Sequence, residues 1–171
     1  MDNSPDEPRF PWLRKTLIIL IGIGLLILVI SLLFVTFPIR NILEGKADSV
    51  VLDGQSLHVE NLTLIWENNT LEKLQSFYLQ EQTTEFSICL KGTQENHIYR
   101  FTSWYLPSSQ RRFNQVIFDP CSSTLALLHT HPYKHCSASS QDIDTLHELQ
   151  RRDSTILMMV MCEKERFAVY R

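Results

Sequence analysis

From Leu17 through Phe37 the chain carries no charged residue. A run of roughly 20 apolar residues matches the hydrocarbon thickness of a bilayer, so 16–38 is expected to cross a membrane as one helix. A cleaved signal peptide is the alternative, but its apolar region spans only about 7–15 residues, and no Ala-x-Ala-like site follows here. Trp12 at one end and Phe37-Pro38 at the other suit interfacial positions. The leader, 1–15, is polar, and Pro5, Pro8 and Pro11 leave it little scope for order. Arg9, Arg14 and Lys15 precede the span, and Arg40 and Lys46 follow it. That excess favours the N-terminus in the cytoplasm and the rest of the chain outside.

In a chain of 171 residues this leaves room for one modest domain, 50–171, joined by a short polar linker, 39–49. The formal charge of -3 gives no basic excess, and no nucleic-acid partner is expected.

The most informative stretch of the domain is Leu127-Leu128-His129-Thr130-His131-Pro132. Leu125, Leu127 and Leu128 lead in as a buried strand would, and side chains two apart on a strand project to one side. His129 and His131 therefore point the same way, as two imidazoles must to share a metal ion. Pro132 has no N–H for a ladder, so the strand should stop there. Ser139-Ser140-Gln141-Asp142 resembles a capping box ahead of Ile143, Leu146 and Leu149 at helical spacing. Asp142 then falls in the first turn of a helix facing the strand end. Two His and one carboxylate leave a fourth position on a tetrahedral zinc for water, the mark of a catalytic site rather than a closed structural one.

His129-x-His131-Pro132, six residues, Ser139, two residues, Asp142 resembles the signature of the JAMM (MPN-plus) metalloproteases with its spacing intact. The resemblance implies a cytidine-deaminase-like, three-layer α/β sandwich with a mixed sheet, and zinc held by His129, His131 and Asp142. It implies that Ser139 steadies the tetrahedral intermediate and that an upstream Glu serves as general acid/base. Glu85, ahead of a strand pattern and seven residues before Gly92, fits that Glu; Ile88 stands where the family often has a further Gly. Glu81 and Glu95 are the competitors. The bond cleaved would be an amide or isopeptide after the C-terminal Gly of a ubiquitin-like modifier. Only 29 residues follow Asp142, which resembles the simpler, prokaryotic members. Most characterised relatives act on cytosolic substrates, which stands against an external domain. A membrane-tethered peptidase with other substrates, or a metal-free MPN scaffold that only binds partners, is the alternative.

Elsewhere, Val50 to Leu52 and Leu57 to Val59 read as short strands around Asp53-Gly54, and Asn69 as the cap of a helix lined by Leu71, Leu74 and Phe77 or Tyr78. Glu85 to Gly92 and His97 to Leu106 read as strands, Ser108 to Asn114 as a solvated loop, and Val116 to Phe118 as a further short strand before Asp119-Pro120. Ile156 to Met161 is a fully apolar run expected as a buried strand, and Phe167 to Tyr170 a last one. Of Cys89, Cys121, Cys136 and Cys162, none forms a CxxC pair, so a Cys-rich zinc site is not expected. Cys121 and Cys136 bracket the His segment and would pair as a disulfide in an oxidising compartment; four free thiols are the alternative. His135 and Cys136 are near enough in sequence to be rival ligands.

Overall fold

The structure is a computed structural model and describes residues 11–36, 39–112, 115–118, 121–131 and 135–171. Most of the leader, Phe37-Pro38, Asn114, Asp119-Pro120 and Pro132 lie outside them. The chain divides into two units, 1–40 and 41–171. In the first, α1 (Pro11–Thr36) is a single helix, and from Trp12 to Val35 it is long and apolar enough to cross a membrane. Its 26 residues span about 39 Å at 1.5 Å per residue, more than a hydrocarbon core requires.

The second unit begins earlier than expected. Residues 39–49, read above as a linker, form a helix, α2 (Ile39–Asp48), whose Gly45 is buried. Then follow β1 (Val50–Val51), β2 (Ser56–Val59), β3 (Leu62–Trp66), α3 (Thr70–Gln80), β4 (Ser87–Glu95) and β5 (Ile98–Tyr105). A hairpin of β6 (Ser109–Arg112) and β7 (Gln115–Phe118) replaces the expected solvated loop. The chain closes with β8 (Ala126–His129), α4 (Ser140–Gln150), β9 (Leu157–Glu163) and β10 (Arg166–Tyr170).

Eight strands form one mixed sheet in the order β1-β10-β9-β8-β4-β5-β3-β2, with β8/β9 and β3/β5 parallel and the other pairs antiparallel. The two strands around Asp53-Gly54 are present but do not make a hairpin: they sit at opposite ends of the strand order. The turn between them ties both ends, Leu52 N–H donating to Glu165 O at 2.8 Å and Trp66 N–H to Gln55 O at 3.0 Å. The sheet is therefore curled. On the inside of the curl, Trp66 of β3 meets Phe101 of β5 and Phe167 of β10, each at 5.4 Å between ring centroids.

Period-two alternation sorts the central strands. Ala126 and Leu128 of β8, with Leu157, Met159 and Met161 of β9, enter the large core under Leu71, Leu74 and Tyr78 of α3. Leu127 and Met158 face the other way, into a smaller core under Leu146 and Leu149 of α4. Helix, sheet and helix make three layers. Asn69 does not cap α3 with its side chain, because its φ of 60° is left-handed and a cap needs extended backbone; Glu67 O accepts from Thr70 N–H instead. Gly92 does not end β4 but lies at a bulge, where a Cβ would collide with the Arg100 carbonyl of β5.

The expected Cys121–Cys136 pairing is wrong. The disulfides are Cys89–Cys121 and Cys136–Cys162, with Cα atoms 5.8 and 5.0 Å apart. Cys121 and Cys136 lie beyond opposite ends of β8, whose four residues alone extend roughly 13 Å, too far for a bridge. Cys89 sits opposite Leu127 on the neighbouring strand and reaches the segment that enters β8, whereas Cys162 on β9 reaches the loop that leaves it.

Candidate metal centre

The centre lies where β8 ends, on the α4 side of the sheet. Leu127 packs on Leu146 and Leu149, so His129, two residues on, projects beneath the first turn of α4. Ser87 of β4 stands opposite His129, and the pairing continues past both strands: Thr130 N–H donates to Phe86 O at 3.1 Å, and Phe86 N–H to Thr130 Oγ1 at 3.2 Å. That extension sets Glu85 across from His131, and their Oε1 and Nδ1 are 2.9 Å apart. Glu81 instead closes α3, and Glu95 stands at the far end of β4.

Asp142 is delivered by a capping box, as the spacing predicts. Ser139 N–H and Oγ–H donate to Asp142 Oδ2 at 2.7 and 2.6 Å, and Asp142 N–H donates back to Ser139 Oγ at 3.2 Å. A carboxylate here also meets the positive end of the helix dipole.

His129 Nε2, His131 Nε2 and Asp142 Oδ2 form a triangle with every side 3.2 Å. A four-coordinate ion with metal–ligand bonds of about 2.0–2.1 Å spaces its ligands about 3.3 Å apart, so the set fits zinc-like coordination. The tautomer agrees. With Nδ1–H given to Glu85, a neutral His131 turns an Nε2 lone pair toward the Asp142 oxygen, and two lone pairs at that distance need a cation between them. Without a metal a proton serves. Burial would lower the His131 ring, but hydrogen bonds to Asp142 and Glu85 outweigh it and raise it to about 9. Burial would raise the Asp142 carboxyl, yet hydrogen bonds from His129 and His131 hold it far below the usual carboxylate range.

The structure thus brings together His129, His131, Asp142, Ser139 and Glu85. Of the rival ligands, Cys136 is oxidised in a disulfide and offers no thiolate. The His135 ring lies 5.5 Å from that of His131, and its buried Nε2 has no hydrogen-bond partner. Two features were missed from sequence. Glu85 backs a histidine in the cluster, which no spacing rule announces, because the register of β4 against β8 decides it. Gly45 of α2 abuts Cys136 and Ser137, ahead of Ser139, a long-range approach with no local signal.

No protein-family model and no curated protein matches the sequence. Among solved structures, the chain is similar to a JAB1/MPN domain protein from Archaeoglobus fulgidus, with 14% identity and a TM-score of 0.36 over 60% of this chain and 84% of that one. So distant a likeness decides neither activity nor substrate.

Proposed function

We propose that the domain is a zinc-dependent metallopeptidase of the JAMM type, tethered to a membrane by α1. The observation that carries this reading is the 3.2 Å triangle of His129, His131 and Asp142, three protein donors where a closed structural site would have four. Zinc held by His129, His131 and Asp142 would acidify a water and polarise a carbonyl. His131 is oriented for coordination by the Glu85 carboxylate behind it. Glu85, the buried carboxylate of the cluster, would be the acid–base group, taking a proton from the attacking water and returning it to the departing amine. Ser139 has two claims on one proton: its hydroxyl steadies either Asp142 or the developing oxyanion.

The resemblance of the His129-to-Asp142 motif favours an amide or isopeptide after the C-terminal Gly of a ubiquitin-like modifier. The two disulfides favour a second reading. They belong to an oxidising compartment, the outside predicted by the basic residues flanking α1, where exported or membrane proteins and not cytosolic conjugates would be cleaved.

The test uses the full chain in detergent. It is expected to carry about one zinc and to cleave either modifier fusions or unmodified peptides. Glu85→Gln should keep the metal and lose turnover by roughly 100-fold or more. A chain that takes up no zinc would leave a binding scaffold, and undiminished activity in Glu85→Gln would remove Glu85 as the base.

A further inference from the structure

Asp142 is held at the end of a short segment, and every residue of that segment is tied down. Cys136 is bonded to Cys162 of β9, Ala138 N–H donates to the Tyr170 hydroxyl of β10 at 2.9 Å, and Ser139 N–H donates to Asp142 itself. Ser137 is pressed from outside by α2. Gly45 is buried within α2 and Ser49 just past its end, and a Cβ on Gly45 would stand 2.5 Å from Ser137 Oγ, 2.7 Å from Ser137 N and 3.1 Å from Cys136 C. Two of these three atoms are backbone, so the clash cannot be relieved by turning a side chain.

The helix is fixed in that place. Arg166 of β10 donates to Lys46 O and Ser49 O, each at 3.4 Å, covering the carbonyls at the end of α2. Lys46 Nζ lies 3.7 Å and Arg166 Nε 3.5 Å from carboxylate oxygens of Glu163, the neighbour of Cys162. The loop leading to Asp142 is therefore clamped between α2 and β9.

From this we infer that α2 is a wall of the metal centre and Gly45 a positioning residue for Asp142, acting through Ser137 and the capping box. The inference rests on the metal reading given under Proposed function. A glycine in a helix is unfavourable for the helix alone, and alanine would be the better residue if α2 were only a spacer. The close approach supplies the reason for glycine.

The experiment takes the full chain in detergent and compares wild type, Gly45→Ala, Gly45→Val and, at an exposed position of the same helix, Ala47→Val. Zinc affinity is read by chelator competition, and ligand geometry by the visible spectrum of the cobalt(II)-substituted protein. Gly45→Val is expected to weaken zinc at least 10-fold and to shift the cobalt bands, Gly45→Ala to do so less, and Ala47→Val to do neither. Adding Ser137→Ala to Gly45→Ala removes one of the three clashing atoms and should restore part of the spectrum. If Gly45→Val does not fold, Gly45→Ala decides by the same spectrum. Gly45 variants that match a zinc-binding wild type overturn the positioning role alone, whereas a wild type that binds no zinc overturns the metal reading beneath it.

Discussion

The two faces of the curled sheet are held by different means. Among the described residues, eighteen buried side chains fill the core on the α3 side, including Trp66, Phe86, Phe101 and Phe167, while five fill the core on the α4 side. Both disulfides are on the α4 side, since Cys89 alternates with Ile88 and Leu90, and Cys162 follows Met161. The polar cluster of His129, His131, Glu85 and Asp142 is there too. A face that must present ionisable groups cannot also be a thick apolar layer, and covalent links take over part of the restraint. The lesson is a division of labour: one face holds most of the apolar core and the other holds the ionisable cluster.

The sharpest way to break this division is to cut the thick face. Phe167 is fully buried and touches Trp66, which joins strands from opposite ends of the sheet order. Phe167→Ala is expected to cost about 3–5 kcal/mol, read as the shift in urea unfolding, and to lose the metal site only because the fold is lost. A loss of zinc affinity with unchanged urea midpoint would contradict that separation.

Cutting the thin face should do less to the fold and more to the site. Replacing both Cys136 and Cys162 by Ser opens a loop of 26 residues in the unfolded chain, worth about 3 kcal/mol, and also frees the segment that leads to Asp142. Zinc affinity should fall further than stability accounts for. Replacing Cys89 and Cys121 instead, on the same face but ahead of β8, should cost similar stability and leave zinc affinity close to wild type; equal losses in both pairs would remove the special role of the second bridge.

Ser139→Ala is a smaller perturbation that separates capping from chemistry. Loss of the cap should cost about 1 kcal/mol. If the hydroxyl serves mainly to hold Asp142, zinc affinity drops with it, whereas an oxyanion donor would show as a fall in kcat with zinc retained.

The same contrast explains what could be read from the chain. The strand before His131, the capping box from Ser139 to Asp142, the helix after it and the apolar run of β9 are local patterns, each set by residues within a turn or two, and all are found where expected. The features that escaped are pairings between distant segments. Val50 to Leu52 and Leu57 to Val59 read as short strands and are found at Val50–Val51 and Ser56–Val59, yet the first pairs with β10, more than a hundred residues away in sequence. The disulfide partners followed from strand register, and the close approach of Gly45 to Cys136 and Ser137 from tertiary packing that polar composition conceals. At the site, the three donors were legible from spacing, whereas the bond from His131 Nδ1 to Glu85 required the β4–β8 register.

The smallest expected effect is a dependence on pH, and it belongs to the thin face alone. In chelator-treated protein His131 is raised from 6.5 to about 9, so folding binds its proton more tightly than the unfolded chain does. The stabilisation is complete below pH 6.5 and is lost as pH rises through about 9. Asp142 has the opposite sign: its carboxyl lies below the ordinary 3.8, so its contribution is present above that value and is lost as pH falls beneath it. The His131 and Asp142 contributions are therefore flat between about pH 4 and 6.5; His135, lowered by its burial, costs stability as pH falls below 6.5, and melting temperature without metal should slope down on the alkaline side of 6.5. Zinc must displace the His131 proton, and that competition eases as the ring deprotonates, so the gain in melting temperature on adding zinc should widen from pH 6.5 to 9. His131→Gln should flatten the alkaline slope and abolish the gain. Parallel curves with and without zinc across that range would mean that the proton and the metal do not share the His131 ring.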